Sequence, residues 1–214
     1  MSGLAYYILD VETTGIKCGY HEITEISIIR CADKVQMTEM LKCNYPERAN
    51  VDAMRITNKT WADLARGSER HDVLEKMDKF IKSDGLTPDH RVCVAHNYSF
   101  DKRFIHQFYK EYDREYPMNL WLCTMAMTKN YAKKAGIIKP KVNLQAACDI
   151  VGIKKYAAAH ASKMDTRNTF LLWKDLCEQK GIDYLPMIKT EPHILNVRNE
   201  EEEPDMSLLE GLDD

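Results

Sequence analysis

The apolar residues change period after Met40, and that change leaves few folds open to the chain. Tyr6 to Val11 is a short apolar run ending in acids, Ile23 to Cys31 is apolar and β-branched, and Lys34 to Met40 alternates. Three such runs with polar turns predict an antiparallel unit, the second and third strands joined by a two-residue turn at Ala32-Asp33. Beyond it, Thr57 to Leu64 and Asp72 to Ile81 are expected to be helical, with Val73, Met77, Phe80 and Ile81 on one stripe. Arg91 to Ala95 reads as a buried strand, Phe100 to Tyr112 as an amphipathic helix, and Leu120 to Cys123 as a short strand. Thr124 to Lys134, Leu144 to Val151 and Ala161 to Glu178 read as helices, the last stopped near Gly181. The expected architecture is α/β: a mixed five-stranded sheet, three antiparallel strands and then alternating strands and helices, flanked by helices.

With 214 residues the chain can bury a core as one domain without staples. It has no run of ~18 apolar residues, so no transmembrane helix is expected. The start, Met1 to Tyr7, lacks the basic and apolar regions of a signal peptide. Seven cysteines, odd in number and without a CxxC pair, argue against a disulfide framework and a cysteine zinc site. A cytoplasmic location is expected. The formal net charge of −3 is unevenly spread: residues 199 to 214 hold eight acids and no base, leaving 30 bases against 25 acids elsewhere. The expected division is a folded domain over 1–185 and an acidic, flexible tail over 186–214. A mildly basic body tolerates a polyanionic partner without proving one.

The chemistry-bearing residues stand at element ends. Asp10-Val11-Glu12 closes the first strand, where alternation puts both carboxylates on one face, their Cα atoms about 6.5–7 Å apart. Both can reach one cation; the alternative is a polar strand end running into a turn. The N–H groups of the following Thr13-Thr14-Gly15 could bind an anion or a nucleotide edge. Asp101, after Ala95-His96-Asn97-Tyr98-Ser99-Phe100, is either a first-turn acid serving the helix dipole or an acid delivered to the same sheet edge, where ligands collect. His160 and Asp165 are five residues apart, roughly 500° of helix, and would not share a face of one helix. If both serve one site, His160 lies before the helix or in a distorted first turn.

The ordered set Asp10, Glu12, Asp101, His160 and Asp165 resembles the DEDDh exonucleases, the DnaQ-like group that includes the proofreading subunit of bacterial replicative polymerases. Asp10 to Gly15 resembles the first motif, Val94 to Asn97 with Phe100-Asp101 the second, and His160 with Asp165 the third. Ala161 stands where the tyrosine version of the family would have Tyr. The resemblance implies a ribonuclease H-like fold and metal-dependent 3′→5′ hydrolysis at single-stranded nucleic acid 3′ ends, with DNA expected first. It also implies two divalent cations, Mg²⁺ or Mn²⁺. Asp10, Glu12 and Asp165 would hold one; Asp10, with Asp101 largely through water, would hold the other. His160 would take the proton from the attacking water. An RNA exonuclease, ribonuclease T-like or oligoribonuclease-like, and a non-catalytic polymerase or clamp adaptor are the alternatives.

The backbone of Thr13 and Thr14, with Asn97 and Phe100, resembles the family's contacts to the terminal nucleotide. Tyr98 and Phe104 are either core or base-stacking residues. Lys102, Arg103, Lys154, Lys155 and Arg167 flank the motifs and could meet phosphates. In the tail, Asp205-Met206-Ser207-Leu208-Leu209 resembles the sliding-clamp-binding pentapeptide, with Asp205 in place of Gln and Leu209 in place of Phe. Met206, Leu208 and Leu209 would then dock on a sliding clamp or polymerase. The alternatives are a segment that folds back on the body or one that screens the cleft.

Overall fold

The structure, a computed structural model, describes residues 3–156 and 161–195. Its sheet contains β1 (Ala5–Thr13), β2 (Ile23–Arg30), β3 (Val35–Met40), β4 (Arg91–Ala95), β5 (Leu120–Cys123) and β6 (Lys189–Thr190), in the order β3-β2-β1-β4-β5-β6. β1, β2 and β3 pair antiparallel, whereas β4 and β5 join in parallel. The helices are α1 (Val51–Thr57), α2 (Trp61–Arg66), α3 (Arg70–Lys82), α4 (Tyr98–Lys110), α5 (Thr124–Lys134), α6 (Leu144–Val151) and α7 (Ser162–Glu178). Among the described residues, no helix is long and apolar enough to cross a membrane.

Each face of the sheet is covered by its own helices, so β1 is buried on both sides. Tyr7, Leu9 and Val11 pack with Leu74 and Met77 of α3 and Phe104 and Phe108 of α4. Ile8, pointing the other way, packs with Met127 of α5, Cys148 of α6 and Leu172 and Leu176 of α7. Strand alternation therefore turns Asp10 and Glu12 toward the α5–α7 layer.

Four expectations change in detail. The sheet has six strands rather than five, because β6 pairs antiparallel with β5 through Leu120 opposite Thr190 and Trp121 opposite Lys189. Residues 187–195, part of the segment expected as a flexible tail, thus return to the body, where the His193 Nδ1 accepts a 3.1 Å bond from the Tyr116 N–H. The helix expected over Thr57 to Leu64 is two helices. Asn58 takes the left-handed conformation (φ 53°) that ends α1, and Thr60 and Asp63 form a reciprocal capping box that starts α2. The β2–β3 connection is four residues, since Arg30 pairs with Val35. Lys34 is left-handed there (φ 61°), and Asp33 accepts from the Arg30 guanidinium and the Val35 N–H.

Candidate active site

The last residues of β1 form one wall of the site. Asp10 lies opposite Ser27, Glu12 lies opposite Glu25, and the pairing register shifts between Glu12 and Thr13. Such a bulge increases local twist and re-aims side chains at a strand end. β4 pairs with β1 only as far as Ile8–Val94, leaving the later β4-facing N–H groups of β1 without a strand partner. Asp101 answers one of them: its Oδ1 accepts from the Val11 N–H at 3.2 Å. It can reach there because Asn97 turns the chain sharply in a left-handed conformation (φ 68°), tolerated by asparagine, so that α4 begins just beyond β4.

Asp165 comes from the opposite helical layer, in the first turn of α7. Ligand oxygens of Asp10, Glu12 and Asp165 lie within 4.8 Å of one another. Burial raises the Asp10 carboxyl well above its ordinary range, reinforced by repulsion from Asp101, Glu12 and Asp165. Burial likewise lifts Glu12 to about 7, with Asp165 and Glu25 adding to the rise and Lys59 opposing it. Asp101 is raised to about 8, mainly by burial, although the Val11 N–H favours its ionised form. Crowded carboxyls whose charges burial and mutual repulsion disfavour are groups that a divalent cation can stabilise and bind. The donor set is all oxygen and suits a hard cation such as Mg²⁺ or Mn²⁺.

The proposed substrate residues differ in their surroundings. Thr13 and Thr14 are buried. The Thr14 N–H donates to the Glu22 carbonyl at 2.8 Å, so it is already engaged and not open to an anion; the Thr14 Oγ1 accepts from the Glu22 N–H at 2.9 Å. A Cβ at Gly15 would fall 2.5 Å from the His21 Nε2, so any other residue there would displace the His21 ring. Asn97 is exposed, and Phe100 is half-buried with its ring 5.0 Å from that of Phe104. Phe104 itself belongs to the core. Tyr98 stacks on Trp121 and donates to Glu191 at 2.6 Å, and Lys102 pairs with the other oxygen of the same carboxylate. Lys155 pairs with Asp149 at 2.7 Å, the Arg167 Nε donates to Gln36 at 2.8 Å, and the Arg103 Nε donates to the Ser99 carbonyl. His160, Met206, Leu208 and Leu209 lie outside the described residues.

Three residues that the sequence does not single out surround the cluster. Glu25 faces Glu12 across the strand pair, Lys59 pairs with Glu25, and the Ser162 hydroxyl donates to Glu25 at 2.5 Å. An acid inside the apolar run Ile23 to Ile29 was the available signal.

Comparison with known proteins bears on the same span. The profile of the family RNase_T, described as Exonuclease, matches residues 7–172, more than three quarters of the chain. The chain is 24% identical to the PolC-type DNA polymerase III of Mycoplasmopsis pulmonis over 184 residues, covering 83% of this chain and 12% of that polymerase. It is 25% identical to the PolC-type enzyme of Pediococcus pentosaceus over 198 residues, 86% of this chain and again 12% of the polymerase. The chain therefore spans about an eighth of the length of these relatives. Among solved structures, the nuclease domain of 3′hExo, a DEDDh family member bound to rAMP, superposes with a TM-score of 0.67 at 15% identity, covering 87% of this chain and 96% of that one. The zinc-bound E. coli ExoI–ssDNA complex gives 0.67 at 16% identity, with 85% and 42% covered. Cell-death related nuclease 4 gives 0.68 at 12% identity, with 82% and 64% covered. The chain belongs to the RNase_T exonuclease family and shares the ribonuclease H-like fold of these solved exonucleases.

Proposed function

We propose that the chain removes nucleotides from single-stranded 3′ ends by metal-dependent phosphodiester hydrolysis, with DNA as its substrate. The meeting of Asp10, Glu12 and Asp165 within 4.8 Å at one sheet edge carries this reading. The PolC-type relatives favour DNA. The rAMP held by the superposable 3′hExo domain supports RNA as the second reading.

Asp10, Glu12 and Asp165 would hold one divalent cation, and Asp10 with Asp101 a second. When bound, such ions supply Lewis-acid stabilisation of the phosphate and a more acidic water. The protein's own groups do the rest. Asp101 keeps its carboxylate oriented through the Val11 N–H. His160 would accept a proton from the attacking water. Phe100 and Asn97 would orient the terminal nucleotide. In the tail, Met206, Leu208 and Leu209 would tether the domain to a sliding clamp and so raise its local concentration at DNA.

Incubation of 5′-labelled single-stranded DNA and RNA with Mg²⁺ or Mn²⁺ tests the reading. The expected result is a ladder shortening from the 3′ end, faster for DNA and stopped by EDTA. Intact substrate, or cleavage insensitive to EDTA, overturns it.

A further inference from the structure

Glu25 is a fifth carboxylate placed where a metal site has no evident use for it. It lies directly opposite Glu12, and side chains facing each other across an antiparallel pair stand about 4.5–5.5 Å apart at Cβ. Like charges in that position repel. Both of its oxygens are engaged, each by a different element. Oε2 pairs with the Lys59 ammonium, and Oε1 accepts the Ser162 hydroxyl at 2.5 Å. The pair is largely withdrawn from water, the side chains being 13% exposed for Lys59 and 11% for Glu25. An ion pair so placed pays desolvation that its attraction barely recovers, so stability alone is a weak account of it.

The backbone aims both partners. Lys59 occupies the joint between α1 and α2: its N–H donates to the Met54 carbonyl at 2.9 Å, just after left-handed Asn58 and just before the Thr60 capping box. The break in the expected helix is thus what points Lys59 at Glu25. Ser162 is fully buried and opens α7, one turn before Asp165. Fixing its hydroxyl fixes the turn that carries Asp165.

We propose that Lys59, Glu25 and Ser162 form a positioning relay: the Lys59 ammonium keeps Glu25 out of the metal-ligand set, and Glu25, so held, fixes the start of α7 and with it Asp165. This rests on the reading of the acidic cluster as a divalent-cation site. The two ends of the relay respond to substitution with opposite signs. Without the Ser162 hydroxyl, Asp165 is less well oriented and cation binding weakens. Without the Lys59 charge, Glu25 becomes an extra anionic ligand; cations bind more tightly but in the wrong place.

The experiment is calorimetric titration of Mn²⁺ into the metal-free full chain, with turnover on single-stranded DNA measured alongside and circular dichroism melts to verify folding. Ser162→Ala should weaken Mn²⁺ binding roughly 10-fold, the usual loss when a ligand's supporting partner is removed, and Ser162→Thr should restore it. Lys59→Met should tighten Mn²⁺ binding by about the same factor, or add an ion per chain, while kcat falls; Lys59→Arg should restore both. Adding Glu25→Gln to Lys59→Met should erase the gain in binding. Unchanged or weaker Mn²⁺ binding in Lys59→Met overturns the relay, even where Ser162→Ala does not fold. A lowered melting temperature with wild-type Mn²⁺ affinity in both single variants leaves only a structural ion pair and also overturns it. A wild-type chain that takes up no Mn²⁺ brings down the cation-site reading itself.

Discussion

Asp10 is the side chain on which repulsion from Glu12, Asp101 and Asp165 converges. Burial and that repulsion raise its carboxyl above the ordinary range, so the metal-free fold disfavours its charge. Asp10→Asn removes that conflict with little change in shape. It should reduce hydrolysis to background yet raise the melting temperature in EDTA by a few degrees, where 1 kcal/mol is worth about 2–4 °C in a chain of this size. His160→Ala should keep Mn²⁺ affinity and slow turnover by ~10²–10⁴-fold. Melting in EDTA, calorimetry and the ladder assay separate the two; an Asp10→Asn chain that still turns over sinks the assignment. The Asp10–Glu12 pair was legible because a strand's period of two fixes its spacing without knowledge of the fold. Glu25 was not, because its place opposite Glu12 depends on the register of β2 against β1, and the loop between them carries no local signal for register. Tyr98 and Lys102 looked available to substrate because their partner, Glu191, is some ninety residues away.

At the scale of elements, the strands and helices with whole periods were read nearly to the residue, as in β4, β5, α5 and α6. The failures are elements too short to show a period. α1 and α2 have seven and six residues, and the left-handed Asn58 between them looks like any polar residue in a helical window. β6 has two residues, and its membership of the sheet is decided by β5 rather than by its own sequence. Its importance exceeds its length. β6 leads into Glu191, which binds Tyr98 and Lys102 of α4, and on to His193, whose ring stacks on His106 at 4.4 Å. Ending the chain at Pro186 should therefore lower the melting temperature by several degrees and depress activity more than stability, because α4 also carries Asp101. Paired melts and single-turnover rates for the shortened and full chains check this; a shortened chain with wild-type values in both would show that β6 is dispensable.

For the whole molecule, pH and divalent cations act on one balance. In the metal-free fold Glu12 is raised to about 7 and Asp101 to about 8, whereas in the unfolded chain both ionise near their ordinary values of ~4. Below those ordinary values both states are protonated and the groups contribute nothing. From there up to pH 7–8 the unfolded chain has released protons that the fold retains, so rising pH drains stability from the metal-free protein. A bound cation replaces the protons and removes the drain. The difference between melting temperatures in Mn²⁺ and in EDTA should widen from pH 5 to pH 8.5; a constant difference would mean that these carboxyls do not meet the cation. The proposed site draws Asp10 and Glu12 from β1, Asp101 from the layer of α3 and α4, and Asp165 from the layer of α5 to α7. On the proposed reading, catalysis would depend on two separately packed interiors at once. A conservative swap that relaxes one interior by a fraction of an ångström defocuses the carboxylates long before it threatens folding, and only a matching swap in the same layer refocuses them.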